Sequence, residues 1–185
     1  MTVTDSSPPG VKLVHPVVHR DERGFFVETY QQQRYAAAGI HANFVQDNHS
    51  RSSRGTLRGL HMQVTAQQAK LVRVIAGAIF DVAVDLRVGS PSFGQWFGTE
   101  LSADNFAQLF VPEGLAHGFS VISDVADVVY QTTSVYDPAL EGAIHYDDDE
   151  LAIPWPVERP TVSERDASAQ SFAAFRATLK REGSR

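Results

Sequence analysis

Short stretches of apolar, often β-branched residues recur along the middle of the chain, with turn-forming residues between them. Gly, Asn, Asp or Ser stands at the breaks. Short strands that follow one another at roughly 8 to 12-residue spacing are typical of an antiparallel sandwich or barrel. We therefore predict a mainly all-β fold, an antiparallel sandwich or jelly-roll barrel. Its strands are expected at 44–49, 56–63, 70–76, 78–86, 96–101, 108–111, 118–122, 127–134 and 142–146.

The residues before this region predict two further strands and a short helix. Residues 11–18 and 25–30 have strand-like composition, and a helix-forming segment at 31–38 ends at a glycine. Residues 1–10 are small, polar and rich in proline, which is typical of a poorly ordered leader. We expect a flexible leader there.

The end of the chain predicts a helix. Phe172, Phe175 and Leu179 follow helical spacing, and Ser163 is a residue type that caps helix N-termini. We expect this C-terminal helix to pack against the barrel. At 185 residues the chain is long enough for one full-sized domain and too short for two, so residues 1–185 are expected to form one domain.

Charge and cysteine content exclude several classes of function. The formal net charge of −6 disfavours nucleic acid as a partner, although a local basic pocket for a phosphate-bearing ligand remains compatible with it. Without cysteine, neither a disulfide framework nor a thiolate nucleophile is available. No stretch resembles a secretory signal or approaches the roughly 20 apolar residues of a membrane span. A cytoplasmic enzyme or binding protein that does not contact a membrane is the expectation.

Residues 56–63 hold the two polar groups that are hardest to explain by packing. Arg58 is a permanent cation and His61 an imidazole, and they flank Gly59 in an otherwise apolar strand. Regular strand alternation would send the two side chains to opposite faces of the sheet. If both serve one ligand, Gly59 must lie at an irregularity such as a bulge.

A metal site is the first hypothesis for the chemistry of such a barrel. Such a metal site requires two histidines one residue apart on a strand face, followed by a glutamate and a later histidine. Gln63 stands where the second histidine should be, and His49 belongs to a different predicted strand. We therefore expect no metal.

Acid–base chemistry without a metal is the second hypothesis. His61 can accept a proton if Asp166 holds its other ring nitrogen, and Tyr130 on the opposite wall can return one. Lys70 and His117 would stabilise a developing oxyanion. Removal of a proton on one face and delivery on the other inverts a stereocentre next to a carbonyl, and no cofactor is needed.

Eight runs of residues occur in a fixed order along the chain. They are DERGFF at 21–26, QDNHS at 46–50, GTLRGLH at 55–61, KLVRVI at 70–75, FDVAVDLR at 80–87, GSPSFG at 89–94, VPEGLAHGF at 111–119 and IPWP at 153–156. Together they closely resemble the dTDP-4-dehydrorhamnose 3,5-epimerase family, over about residues 11–166. Each run alone is weakly specific, and their joint occurrence in this order is highly specific.

The resemblance implies a cupin-type jelly roll that works without metal or another cofactor, as a homodimer that exchanges strands between subunits. The substrate would be dTDP-4-dehydro-6-deoxy-D-glucose, epimerised at C3 and C5 to dTDP-4-dehydro-L-rhamnose. Because both carbons flank the C4 ketone, one site can epimerise them in succession through enolate intermediates.

The resemblance also implies roles for individual residues. The five residues of the acid–base hypothesis keep their roles, and Asp81 resembles a supporting carboxylate near Lys70. Contacts to the nucleotide and its phosphates are expected from Gln46, Asn48, Arg58, Tyr136, Glu141 and Arg165, and from Arg23, Phe26 and Glu28 of the neighbouring subunit.

Some positions depart from the pattern of the family. Met62 follows the expected base where an aromatic residue is frequent, and Val135-Tyr136-Asp137 replaces a more usual Tyr-Tyr-Ser. Arg165 stands where a lysine is common. The open alternatives are an epimerase that inverts only C3 or only C5, as in antibiotic-sugar biosynthesis, and a metal-dependent or sugar-binding cupin.

Overall fold

The computed structural model describes residues 1–182, and side chains as far as Leu179. Strands dominate this part of the chain, which also contains three helices. The strands are β1 (Thr2–Asp5), β2 (Lys12–His15), β3 (Val18–Asp21), β4 (Gly24–Val27), β5 (Gln46–Ser53), β6 (Leu57–Gln63), β7 (Lys70–Ala76), β8 (Ala78–Asp85), β9 (Trp96–Ser102), β10 (Gln108–Val111), β11 (Leu115–Val121), β12 (Val125–Thr132) and β13 (Glu141–Ala143). The helices are α1 (Gln32–Ala37), α2 (Glu164–Ala167) and α3 (Phe172–Glu182).

Two antiparallel sheets form the barrel. One has six strands in the order β1-β2-β10-β7-β12-β5, and the other has five in the order β13-β6-β11-β8-β9. Strands β3 and β4 form a separate hairpin. Most neighbouring strands, such as β2 and β10 or β6 and β11, come from distant parts of the sequence, as in a jelly roll. The predicted mainly β jelly-roll architecture is confirmed.

The main core lies between the two sheets. Val72, Leu109 and Val128 from the six-stranded sheet pack with Ile79 and Leu101 from the five-stranded sheet, and all five are buried. The strands that carry these five residues contribute apolar side chains to this layer because successive residues alternate between the two faces of a strand. This apolar layer holds the two sheets face to face.

Helix α3 covers the outer face of the five-stranded sheet. Phe172, Phe175 and Leu179 are buried there against Met62 and Val84, among others. The predicted packing of the C-terminal helix is therefore confirmed. Among residues 1–182, no helix has both the length and the apolar character needed to cross a membrane.

The helix predicted from Ser163 onward is wrong in one respect, because the segment forms two helices. Ser163 does cap a helix, but that helix is the single turn α2. The break has a physical cause, since Gln170 leaves the helical path to pair with Ile144, and its carbonyl oxygen accepts a hydrogen bond from the His145 amide at 2.9 Å.

The predicted leader at 1–10 is also wrong as far as the structure describes it. Residues 2–5 form strand β1, which pairs with β2 from Thr2 opposite His15 to Asp5 opposite Lys12. The backbone groups of this segment find partners in the sheet, and Val3 packs against a buried cluster around Tyr35. The polar composition of the strand gives no sign of this pairing, because three of its four residues are exposed to solvent.

Candidate active site

A cavity of about 500 Å³ opens at one end of the barrel, between the two sheets. It is lined from the six-stranded sheet by β5, β7 and β12, from the five-stranded sheet by β6, β11 and β13, and by the segment that leads into α2. Eleven of the predicted site residues line it: Gln46, Asn48, Arg58, His61, Lys70, His117, Tyr130, Tyr136, Glu141, Arg165 and Asp166.

His61 and Asp166 form a pair in the cavity wall. The Nε2 atom of His61 lies 2.5 Å from Oδ1 of Asp166. The carboxylate sits in the first turn of α2, where Ser163 accepts a hydrogen bond from the Asp166 amide at 3.1 Å and fixes this turn. Helix capping therefore places the partner of a histidine that lies 105 residues earlier in the sequence.

The protonation of this pair follows from the surroundings of Asp166. Burial alone would raise the pKa of Asp166, but hydrogen bonds from His61, Ser163 and the Gly59 amide lower it below its ordinary value. An ionised carboxylate only accepts hydrogen bonds, so Nε2 of His61 carries a proton and donates it in the hydrogen bond to Asp166. Nδ1 of the neutral ring is then the nitrogen that can accept a proton from a substrate.

The irregularity predicted at Gly59 is confirmed. The register between β6 and β11 shifts between His117 and Phe119, and Gly59 has φ of +103°. Arg58 and His61 consequently both line the cavity, whereas Leu60 packs in the outer core under α3. The strand that carries the base thus also presents a cation to the same ligand space.

Substitution of Gly59 by alanine is expected to destabilise the protein by about 2–5 kcal/mol, because it combines left-handed strain with overpacking. A Cβ atom at this position would lie 2.6 Å from the His117 carbonyl oxygen and 2.7 Å from the Gly118 Cα atom. The midpoint of urea unfolding measures the loss. Gly89→Ala is the matched control, since Gly89 has φ of +83° and open space around its Cβ position. Equal midpoints for the two variants would contradict the proposed close approach.

Tyr130 faces the cavity from the opposite wall. It lies on β12 of the six-stranded sheet, whereas His61 lies on β6 of the five-stranded sheet. Burial raises the pKa of Tyr130, and the charge of Glu141 raises it further. The phenol is therefore protonated at neutral pH and available as a proton donor.

Lys70 and His117 supply the remaining donors. Burial lowers the pKa of Lys70 to about 8, although the charges of Glu141 and Asp81 oppose that effect. His117 is joined through Nε2 to Oδ1 of the fully buried Asp81 at 2.7 Å. The second Asp81 oxygen has no hydrogen-bond partner within the described residues. Asp81 was expected near Lys70 from the resemblance to the family, and in the structure it contacts His117 directly.

Polar side chains at the mouth of the cavity form a connected network. Gln46 donates to Oδ1 of Asn48 at 2.8 Å and accepts from the Tyr136 amide at 2.9 Å. The Tyr136 hydroxyl donates to Glu141 at 2.6 Å, and the same carboxylate pairs with Arg165. This network presents amides, a phenol and a guanidinium, which together suit a nucleotide and its phosphates.

Three predicted site residues lie away from this cavity. Arg23 and Phe26 belong to the β3–β4 hairpin, where the Arg23 side chain is 89% exposed and Phe26 is 69% exposed. Glu28 follows the hairpin and pairs with Arg34 at 2.9 Å. Within one chain, the structure does not bring these three residues to the site.

Several residues of the cavity wall were not predicted from the sequence. Phe119 and Gln68 line the cavity, and Gln68 donates from Nε2 to the Ser134 carbonyl oxygen at 2.8 Å. A signal existed for Phe119, because it lies two residues after His117 and therefore shares its strand face. Gln68 lies in the link between β6 and β7, where strand periodicity gives no guide.

Histidines do not gather around a common point in the described residues. No group of three or more His, Asp or Glu side chains there is arranged to hold a metal ion. His49, which the metal hypothesis considered, pairs instead with Asp127 at 3.0 Å.

The fold and the cavity define a class of protein. It is a cupin-type jelly-roll barrel whose cavity has a histidine–aspartate pair on one wall and a half-buried tyrosine on the other. The family model described as dTDP-4-dehydrorhamnose 3,5-epimerase matches residues 6–174. The chain belongs to this family, as its sequence motifs predicted.

Individual relatives show the same similarity. The dTDP-4-dehydrorhamnose 3,5-epimerase of Pseudomonas aeruginosa is 50% identical over 175 residues, which cover 94% of this chain and 97% of the relative. A solved 3,5-epimerase from Legionella pneumophila, in complex with dTDP-4-keto-L-rhamnose, superposes with a TM-score of 0.93 at 48% identity and covers 96% of each chain. A dTDP-4-dehydrorhamnose 3-epimerase of Streptomyces niveus is 44% identical over 169 residues, 90% of this chain and 82% of the relative.

Proposed function

We propose that the protein is a dTDP-4-dehydrorhamnose 3,5-epimerase. It converts dTDP-4-dehydro-6-deoxy-D-glucose into dTDP-4-dehydro-L-rhamnose by inverting C3 and C5. The observation that carries the proposal is the placement of His61 and Tyr130 on opposite sheets around one cavity. Epimerisation needs a base on one face of the sugar and an acid on the other.

The steps assign one role to each group around the sugar. Nδ1 of His61 removes the proton next to the C4 ketone, and the electron pair of the broken C–H bond moves into an enolate. Lys70 and His117 stabilise the negative charge on the C4 oxygen. Tyr130 then donates its proton to the opposite face of the carbon, which inverts the centre. Asp166 holds the imidazole and stabilises the imidazolium.

The mouth of the cavity binds the nucleotide in this proposal. Arg58 and Arg165 contact the diphosphate, since a guanidinium binds phosphate oxygens in a bidentate manner. Gln46 and Asn48 contact the base with their amides, and Tyr136 offers an aromatic face for stacking. All five residues lie on the cavity wall and offer groups suited to such a ligand.

The site is completed in a homodimer. The β3–β4 hairpin of a second copy brings Arg23, Phe26 and Glu28 to the nucleotide end of the cavity, which gives the exposed Phe26 a contact. Light scattering of the purified protein is expected to give twice the mass of the chain. A fully active monomer would contradict this arrangement.

We also propose that residues 1–185 form one domain and that the enzyme acts in the cytoplasm.

The pH profile of kcat/KM is expected to fall on the basic side at about pH 8. Lys70, whose pKa burial lowers to about 8, loses its charge there and no longer stabilises the enolate. Tyr130 titrates later, because burial raises its pKa above the ordinary value. In a Lys70→Met variant the activity should be low throughout and the step near pH 8 absent. A wild-type profile that stays flat until the tyrosine ionises would contradict the role of Lys70.

Product analysis tests the function directly. Purified protein is incubated with dTDP-4-dehydro-6-deoxy-D-glucose, and proton NMR of the sugar establishes which carbons are inverted. The proposal requires inversion at both C3 and C5. The 44% identity to a 3-epimerase makes inversion of C3 alone the main competing outcome. Elemental analysis of the same preparation addresses the metal-dependent alternative, which requires stoichiometric metal.

A further inference from the structure

Glu141 connects the proposed base to the surface of the protein. Its Oε1 atom lies 3.6 Å from Nδ1 of His61, and its Oε2 atom accepts the hydrogen bond from Tyr136 and pairs with Arg165. The Glu141 side chain is only 9% exposed, whereas that of Arg165 is 46% exposed and Tyr136 is 43% exposed. One carboxylate therefore faces the imidazole on one side and groups that reach solvent on the other.

Two carboxylates lie within 4 Å of the His61 ring in the described part of the chain, and they differ in their access to solvent. Asp166 at Nε2 is buried, and its oxygens face His61 and the Gly59 amide. Glu141 at Nδ1 belongs to the mouth of the cavity. Glu141 is therefore the carboxylate that can accept a proton from Nδ1 of His61 and release it to solvent.

Inversion of two carbons in succession requires that His61 lose its proton between the two steps. His61 removes a proton at one carbon and becomes an imidazolium, which cannot act as a base at the second carbon. The sugar still fills the cavity at this point, so the ring must lose its proton without release of the substrate. An enzyme that inverts a single carbon can instead recover after the product leaves.

We propose that Glu141 accepts the proton from Nδ1 of His61 between the two inversions and passes it to water at the cavity mouth. The Nδ1–H bond breaks and an O–H bond forms on the carboxylate, after which that proton leaves to solvent. Tyr130 regains one proton from solvent, so the protons balance for each inversion. Glu141 acts through His61 and not on the sugar. This inference rests on the proposed function and adds to the nucleotide-side role expected for this residue.

The Glu141→Gln variant is expected to stall after the first inversion. The amide keeps the size of the side chain and can accept from Tyr136 and Arg165, but it cannot take up the proton. Singly inverted sugar should accumulate, with its ratio to doubly inverted sugar raised by about tenfold or more, as expected for loss of an acid–base group. Proton NMR of early time points measures the ratio, and Glu158→Gln, which changes an exposed glutamate, is the control.

A second variant separates proton transfer from nucleotide binding. In Glu141→Ala, added formate is expected to restore the second inversion, because a small carboxylate can occupy the vacated space, whereas chloride at equal ionic strength should not. A changed KM with an unaltered product ratio in both variants, and no effect of formate, would overturn the inference and leave Glu141 as a binding residue. Circular dichroism and dTDP binding of each variant establish that it is folded.

The outcomes distinguish this inference from the proposed function. If the wild-type protein inverts neither carbon, the function itself fails. If the wild-type protein inverts both carbons and Glu141→Gln does so in the same ratio, the function stands and only the relay through Glu141 is overturned.

Discussion

Replacement of His61 by alanine is expected to lower the rate of proton exchange at C3 and C5 by about 10²- to 10⁴-fold, the usual contribution of a general base. Nδ1 of His61 is the nitrogen left free by the contact between Nε2 and Asp166. Both inversions begin with this group, so exchange and product formation should fall together. The affinity for dTDP should change little, since the groups assigned to the nucleotide remain.

Hydrogen–deuterium exchange into the sugar, followed by NMR, measures the effect of this substitution. His41→Ala is the control, because His41 is an exposed histidine outside the cavity. A non-catalytic sugar-binding cupin would give no exchange in either the wild-type protein or the variant. Exchange at the wild-type rate in His61→Ala would show that another group is the base.

Replacement of Tyr130 by phenylalanine is expected to separate proton exchange at a sugar carbon from inversion of that carbon, two events that are normally coupled. Removal of the proton by His61 remains available, whereas delivery to the opposite face loses its donor. The rate of inverted product formation should fall by about 10²- to 10⁴-fold, while solvent deuterium still enters through return to the original face. The placement of the two residues on opposite sheets is the basis for this split.

The split is measured by comparing deuterium content with configuration at the same carbon. Tyr146→Phe is a matched control, since Tyr146 lies outside the cavity wall. Loss of exchange and inversion in equal measure would mean that Tyr130 is needed for proton removal as well. Normal inversion in Tyr130→Phe would assign the acid to a different residue.

Local patterns in the sequence predict much of this fold. Alternation and β-branched residues identify β7 and β10 with the bounds that the structure has, and a glycine marks the end of the region that forms α1. Such patterns do not predict strand β1, because it forms by pairing with β2, which is a tertiary contact. The break between α2 and α3 escapes them too, since it depends on the pairing of Gln170 with Ile144.

The candidate site shows a similar division. The position of Gly59 between a cation and an imidazole predicts an irregular strand, and the register shift of β6 against β11 confirms it. The pairing of His61 with Asp166 spans 105 residues, and no spacing rule joins them. Acid–base chemistry alone named Asp166 as one candidate partner, and the resemblance to the family assigned it that role. The contact between Glu141 and His61 emerges from the structure alone, because β13 must first align with β6.

Solvent deuterium incorporation tests the central claim most directly. The wild-type protein is incubated in D2O with dTDP-4-dehydro-6-deoxy-D-glucose, and the label at each sugar carbon is read by NMR. A 3,5-epimerase that uses one base and one acid around the C4 ketone must place deuterium at both C3 and C5. Label at one of the two carbons only would establish a single-site epimerase, and no label at either carbon would contradict the account.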